Sequence, residues 1–145
     1  MASERLLDWL DGALAHIASL DLTDAAKKRR ALHVANEFFG DEEGRKLLDC
    51  AIHVLGKRTL CTIVAQPSNR SFVAVDAPGG RSQYAILGGF CTCKPFFEAA
   101  KEVATAVVCK HMLAFKLAPL LGALQTRNIP DAEFHSHLAA RYALS

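Results

Sequence analysis

Apolar side chains recur at spacings of three and four through the first third of the chain and at spacings nearer two in its middle. Leu6, Leu7, Leu10, Leu14 and Ile17 fall on one face of a helix over residues 4–20, with Ser3 placed to cap it and Trp9 beside the stripe. Thr23 with Asp24 caps a second helix, whose Leu32, Ala35 and Phe38 share a face and which Gly40 ends in a left-handed turn. A third helix over residues 42–55 presents Leu47, Leu48, Ala51 and Leu55 and stops at Gly56. Core packing accounts for these stripes.

From residue 59 the pattern changes to β-branched and aromatic residues between turn signals. Residues 59–65, 71–76 and 82–87 read as three strands of an antiparallel meander, separated by Pro67-Ser68-Asn69-Arg70 and Ala77-Pro78-Gly79-Gly80. Pro67 fixes a turn-compatible φ, and Asn69 tolerates a left-handed one. Beyond Gly88-Gly89 the chain enters Phe90-Cys91-Thr92-Cys93, and Pro95 opens a short helix with Phe96, Ala99, Ala100 and Val103 facing inward. A last long helix begins near Lys110. Pro119 lacks an amide donor and clashes with the carbonyl of Phe115, so that helix kinks or restarts there, with Leu120, Leu121 and Leu124 beyond. A further helix starts at about Asp131, and there is no internal repeat.

Composition narrows the class. The 145 residues are 51% hydrophobic and 22% charged, which suits one globular domain and excludes wholesale disorder. No uncharged apolar run approaches the roughly 18 residues that span a bilayer. Met1-Ala2-Ser3-Glu4-Arg5 leads into a stretch with Asp8 and Asp11, unlike a secretory or transit peptide, so the cytosol or nucleus is expected. The formal charge of +2 hides an asymmetry: between Lys57 and Lys116 eight basic residues stand against three acidic ones, and the remainder is net acidic. A nucleic-acid face and a plain solvated surface both fit that distribution. Lys27-Lys28-Arg29-Arg30 likewise fits either a nuclear-import cluster or a soluble helix face.

Five cysteines, an odd number, are too few for a disulfide scaffold and are expected as thiols or metal ligands. Cys91-x-Cys93, a spacer of fifteen residues and Cys109-x-His111 supply three thiolates and one imidazole, the donor set of a closed tetrahedral zinc site. Residues i and i+2 on an extended segment point to the same side, which places Cys91 and Cys93 on a strand end. In mid-helix, Cys109 and His111 would face directions about 200° apart. Cys109 is therefore expected just before the last helix and His111 in its first turn, with Val107-Val108 leading in as extended chain. The competing readings are four independent buried residues and a redox couple, the latter disfavoured because Cys-x-Cys is not the Cys-x-x-Cys redox spacing. Cys50 and Cys61 read as packing residues, and His16, His33, His53, His135 and His137 lack ligand spacing. A structural zinc ion would be required for this half of the chain to fold, so Cys93→Ser or His111→Ala should disorder the segment after Gly88.

Cys91-Thr92-Cys93 and Cys109-Lys110-His111-Met112-Leu113-Ala114 resemble the SWIM zinc-finger signature, C-x-C-x(n)-C-x-H, with a small residue three after the histidine. Phe39-Gly40 before a helix, the Pro67-Ser68-Asn69-Arg70 hairpin and the Leu- and Ala-rich helix after Cys-Lys-His are similar to one branch, the short SWIM subunit of the eukaryotic Shu complex. The likeness covers roughly residues 38–121. The chain departs from it in having Lys94 ahead of Pro95, an alanine-rich spacer and Pro119 in the last helix. The resemblance implies one structural zinc ion held by Cys91, Cys93, Cys109 and His111. It also implies a non-enzymatic nuclear role: pairing with a RecA-fold recombinase paralogue, with the recombinase itself as a further candidate partner, and promoting recombinase filament assembly on single-stranded DNA that is met directly or through the partner. No nucleophile–base pair, paired carboxylates or G-x-x-x-x-G-K-[ST] loop stands out for an enzyme. Direct DNA binding by the finger, a generic zinc-dependent interaction module and a thiol enzyme at Cys50 or Cys61 are the other readings. The expected fold is α+β: N-terminal helices over residues 1–56, a small antiparallel meander with a zinc-clamped strand-to-helix finger over 57–124, and a helical tail over 125–145.

Overall fold

A computed structural model describes residues 4–80, 83–93 and 109–142. Ser3, the short helix expected after Pro95 and the Val107-Val108 lead-in lie outside the described residues, as do the side chains of Leu6 and Leu7.

Three helices come first: α1 (Glu4–Ser19), α2 (Asp24–Phe38) and α3 (Glu42–Lys57). Thr23 caps α2 as its sequence suggests, accepting from the Ala26 amide at 3.2 Å. The end of α2 differs from expectation. Phe39 is the C-cap (φ −107°, ψ 49°) and is itself buried, so the aromatic ring anchors the turn and Gly40 takes no left-handed φ. Asp41 caps α3, accepting from the Gly44 amide at 2.6 Å. Gly56 does not stop that helix: it lies in the last turn, and the chain leaves through Arg58 in extended conformation (φ −121°, ψ 158°). The buried faces are Leu10, Leu14 and Ile17 on α1, Ala31 and Ala35 on α2, and Leu48, Ala51 and Val54 on α3. Trp9 is 71% exposed, its ring 5.2 Å from that of Phe38.

The meander is present and larger than expected. Strands β1 (Thr59–Gln66), β2 (Ser71–Asp76), β3 (Tyr84–Leu87) and β4 (Phe90–Cys91) pair antiparallel in turn. Asn69 takes the left-handed φ of 65° in the first turn. A fifth strand, β5 (Leu124–Pro130), lies parallel to β1, giving the order β4-β3-β2-β1-β5. That strand corrects the expectation of helix beyond Pro119. Helix α4 (Lys110–Leu117) ends before the proline. One more turn follows, closed by Ala123 N donating to Ala118 O at 2.9 Å and Gly122 N to Pro119 O at 3.5 Å. Gly122 sits there at φ 66°, the left-handed position that ends a helix in a Schellman motif and swings the chain into β5. The final helix, α5 (Asp131–Tyr142), begins where the sequence places it.

Period-two alternation gives the sheet two apolar faces. Leu60, Val73, Val75 and Ile86 share one core with α1, α2, α3 and α4. Ile63, Ala65, Phe72, Ala74, Ala85 and Ile129 form a second core with Phe134 of α5. The architecture is α+β, as expected. Among the described residues no helix is long and apolar enough to cross a membrane.

Candidate metal centre

The end of β4 and the start of α4 meet at the helix side of the sheet. Cys91 closes β4, Cys93 lies two residues on in a bend, and Cys109 is the N-cap of α4 (φ −92°, ψ 170°) with His111 in the first turn. The placement required by the 200° argument is the one found. All four side chains are buried, and their ligand atoms lie within 4.8 Å of one another. His111 Nδ1 is 3.8 Å from Cys91 Sγ and 3.9 Å from Cys109 Sγ. Around a tetrahedral zinc with Zn–S of roughly 2.3 Å and Zn–N of roughly 2.0–2.1 Å, donor atoms stand about 3.6–3.8 Å apart. The residues fit one zinc ion. Among the described residues this is the one group of three or more His, Cys, Asp or Glu side chains able to hold a metal, and the other five histidines do not join it.

The electrostatics point the same way. Hydrogen bonding with Cys109 and Cys93, then burial, pushes the Cys91 thiol far above its ordinary range. At Cys109 the bond with Cys91 lowers the thiol, but Cys93 and burial outweigh it and leave it raised to about 11. Three thiols packed together without a counter-charge resist ionisation. A dication supplies that charge, and the N-terminus of α4, with Met112 N donating to Cys109 Sγ at 3.5 Å, favours the thiolate as well.

Two neighbours carry no ligand signal in the sequence. Tyr84 of β3 lays its ring over His111, centroids 4.7 Å apart, and Arg58 lies over the other partner of that stack, 5.0 Å from the Tyr84 centroid. Thr92 is buried between the two cysteines. Within His111, Nδ1 is turned to the sulfurs, whereas Nε2 is buried with no hydrogen-bond partner among the described residues. Cys50 and Cys61 stand apart from the cluster: Cys50 is exposed, and Cys61 is half-buried with its thiol pushed up by burial, the opposite of an activated nucleophile.

Two relatives are similar to part of the chain. A zinc finger SWIM domain-containing protein 7 homologue of Dictyostelium discoideum is 27% identical over 96 residues, 66% of this chain and 62% of that protein. Zinc finger SWIM domain-containing protein 7 of Danio rerio is 26% identical over 83 residues, 49% of this chain and 59% of that protein. The matches thus span about three-fifths of each relative's length. No protein-family model and no solved structure matches the chain. Cys91-x-Cys93 and Cys109-x-His111 thus converge on one candidate metal centre in a chain that is similar, over part of its length, to two proteins named for a SWIM zinc finger.

Proposed function

We propose that Cys91, Cys93, Cys109 and His111 hold one structural zinc ion in a non-enzymatic interaction subunit of Shu type. The subunit pairs with a RecA-fold recombinase paralogue and promotes recombinase filament assembly on single-stranded DNA in the nucleus. One observation carries the reading: four buried protein donors lie within 4.8 Å of one another, enough to fill all four positions of a tetrahedral zinc ion and leave none for a reacting water. A closed site holds structure and does no chemistry. The names of the two relatives and the motif likeness over residues 38–121 support the choice among SWIM proteins. The Lys27-Lys28-Arg29-Arg30 run lies on α2, with Lys28, Arg29 and Arg30 exposed, as an import signal needs.

Contact with DNA runs through the partner in this reading. Of the basic middle stretch, Lys116 is tied to Asp11 at 2.8 Å, Arg58 lies over Tyr84 and Arg70 over Phe134. Those cations serve intramolecular contacts. Purification of the chain from its source under native conditions, followed by mass spectrometry, tests both layers. The expected result is one zinc per chain and a RecA-fold companion. A folded chain that weighs no more than its amino acids overturns the zinc reading, and a zinc-loaded chain with no such companion overturns the Shu-type role.

A further inference from the structure

Thr92 stands opposite Ala85 at the open end of the β3–β4 hairpin. The register pairs Leu87 with Phe90 and Ile86 with Cys91, which makes Ala85 and Thr92 the next pair. A regular antiparallel pair at that point exchanges two backbone hydrogen bonds. Only one has that form: Thr92 N donates to Ala85 O at 3.0 Å. The Ala85 amide donates instead to the Thr92 hydroxyl, also at 3.0 Å.

The exchange matters because of ligand spacing. Residues i and i+2 on a straight strand stand about 6.8 Å apart, whereas two thiolates on one tetrahedral zinc stand about 3.8 Å apart. On a straight strand the side chains of Cys91 and Cys93 would have to lean together by about 3 Å to share an ion, and a bend in the backbone removes that demand. The strand ends at Cys91 and the chain bends at Cys93, and the four donor atoms come within 4.8 Å of one another. Ending the ladder there would strand the buried Ala85 amide unless another acceptor took it. Thr92, 3% exposed, supplies that acceptor.

We infer that Thr92 is a positioning residue of the metal centre: its hydroxyl replaces the ladder carbonyl, frees the following peptide to bend, and so brings the Cys93 sulfur beside that of Cys91. The inference rests on the zinc reading of the four donors and adds a residue that the ligand motif leaves unspecified. Valine at this position keeps the β-branched shape without the acceptor; serine keeps the acceptor without the methyl group.

The test uses the full chain in four forms: wild type, Thr92→Val, Thr92→Ser, and Ile129→Ala, which disturbs the second core away from the site. Zinc affinity is read by competition with a chromophoric chelator and site geometry by the visible absorption of the cobalt(II)-loaded protein. Thr92→Val should bind zinc roughly 10–100-fold more weakly, the range typical of outer-shell substitutions, with altered cobalt bands. Thr92→Ser should restore wild-type affinity and spectrum, and Ile129→Ala should lower the melting temperature without changing either. A Thr92→Val protein with wild-type affinity and bands, or a serine variant as weak as the valine one, overturns the inference while leaving the zinc reading intact. A wild-type chain that takes up neither metal sinks both. If Thr92→Val fails to fold, hydrogen exchange in the zinc-loaded wild type decides: the Ala85 amide must be protected, and exchange at the rate of the open Gly88-Gly89 turn overturns the inference.

Discussion

The Met112 amide donates to the sulfur of Cys109 across 3.5 Å, so one side chain both caps a helix and faces three other metal donors. The two roles can be separated by chemistry. Serine is among the best N-cap residues but a poor replacement for a thiolate on zinc. Cys109→Ser should therefore keep the α4 cap and lose the metal, whose apparent contribution in small structural sites is on the order of 10–16 kcal/mol. Cys109→Ala should lose the cap too, a further cost of about 1 kcal/mol. Native mass measurement and circular dichroism check this, and a serine variant retaining one zinc per chain contradicts it.

Metal-free and metal-loaded chains should respond to pH in opposite directions. In the metal-free chain the Cys91 and Cys109 thiols are raised from 9.0, Cys109 to about 11, so the folded form holds these protons more tightly than the unfolded one. Their contribution to stability is present below pH 9.0 and is lost as pH rises toward about 11. Zinc requires the thiolates, so protons compete with it and the loaded chain weakens as pH falls. Thermal unfolding across a pH series reads the loaded slope directly, and with a chelator it reads the other slope in whatever fold survives loss of the metal. A metal-free chain equally stable on both sides of that alkaline window would rule out the raised thiols.

Two glycines of α3 should respond oppositely to alanine. A Cβ on Gly44 would sit 2.7 Å from Asp41 Oδ1 and 2.9 Å from the Phe39 Cα, while one on Gly56 meets nothing within 4 Å. Helix propensity favours alanine at both by about 1 kcal/mol. At Gly44 the backbone of Phe39 cannot yield, because its side chain is buried and its amide bonds Ala35 O. Gly44→Ala should destabilise by about 1–3 kcal/mol through the strained cap, and Gly56→Ala should stabilise by about 0.5–1 kcal/mol. Chemical denaturation of both at saturating zinc decides; like-signed shifts would contradict the close approach.

What the sequence showed in advance was local. Thr23, Asn69 and the Cys109-x-His111 spacing each act through residues no more than a few positions away, so cap, turn and helix start were legible. Strand β5 was not, because Gln125, Thr126, Arg127 and Asn128 are exposed on a sheet edge and show no alternation. Its state is set by parallel pairing with β1, Leu60 against Leu124, contacts more than sixty residues apart that no local pattern encodes. Thr92 escaped for a related reason: its role is defined by Ala85, on the neighbouring strand.

The second core is fastened at one edge by Arg141 and Asp76, and that pair yields the last prediction. Arg141 Nε and Nη2 donate to the two Asp76 oxygens at 3.0 and 2.7 Å, and Nη1 donates to His137 O at 2.8 Å. Arg141 is buried, whereas the Asp76 side chain keeps 27% exposure, so water offsets part of the loss when the guanidinium is removed. Arg141→Ala should destabilise by about 2–3 kcal/mol, below the roughly 3–5 kcal/mol of a fully buried broken pair. Arg141→Lys should recover only part, because an ammonium cannot form the two-pronged contact. Removing both charges together, Asp76→Leu with Arg141→Met, should bring stability back to within about 1 kcal/mol of wild type, since neither desolvated charge is then left unpaired. A double variant as unstable as Arg141→Ala alone would show that the loss comes from packing over Phe72, which Arg141 covers at 5.6 Å, and not from the ion pair.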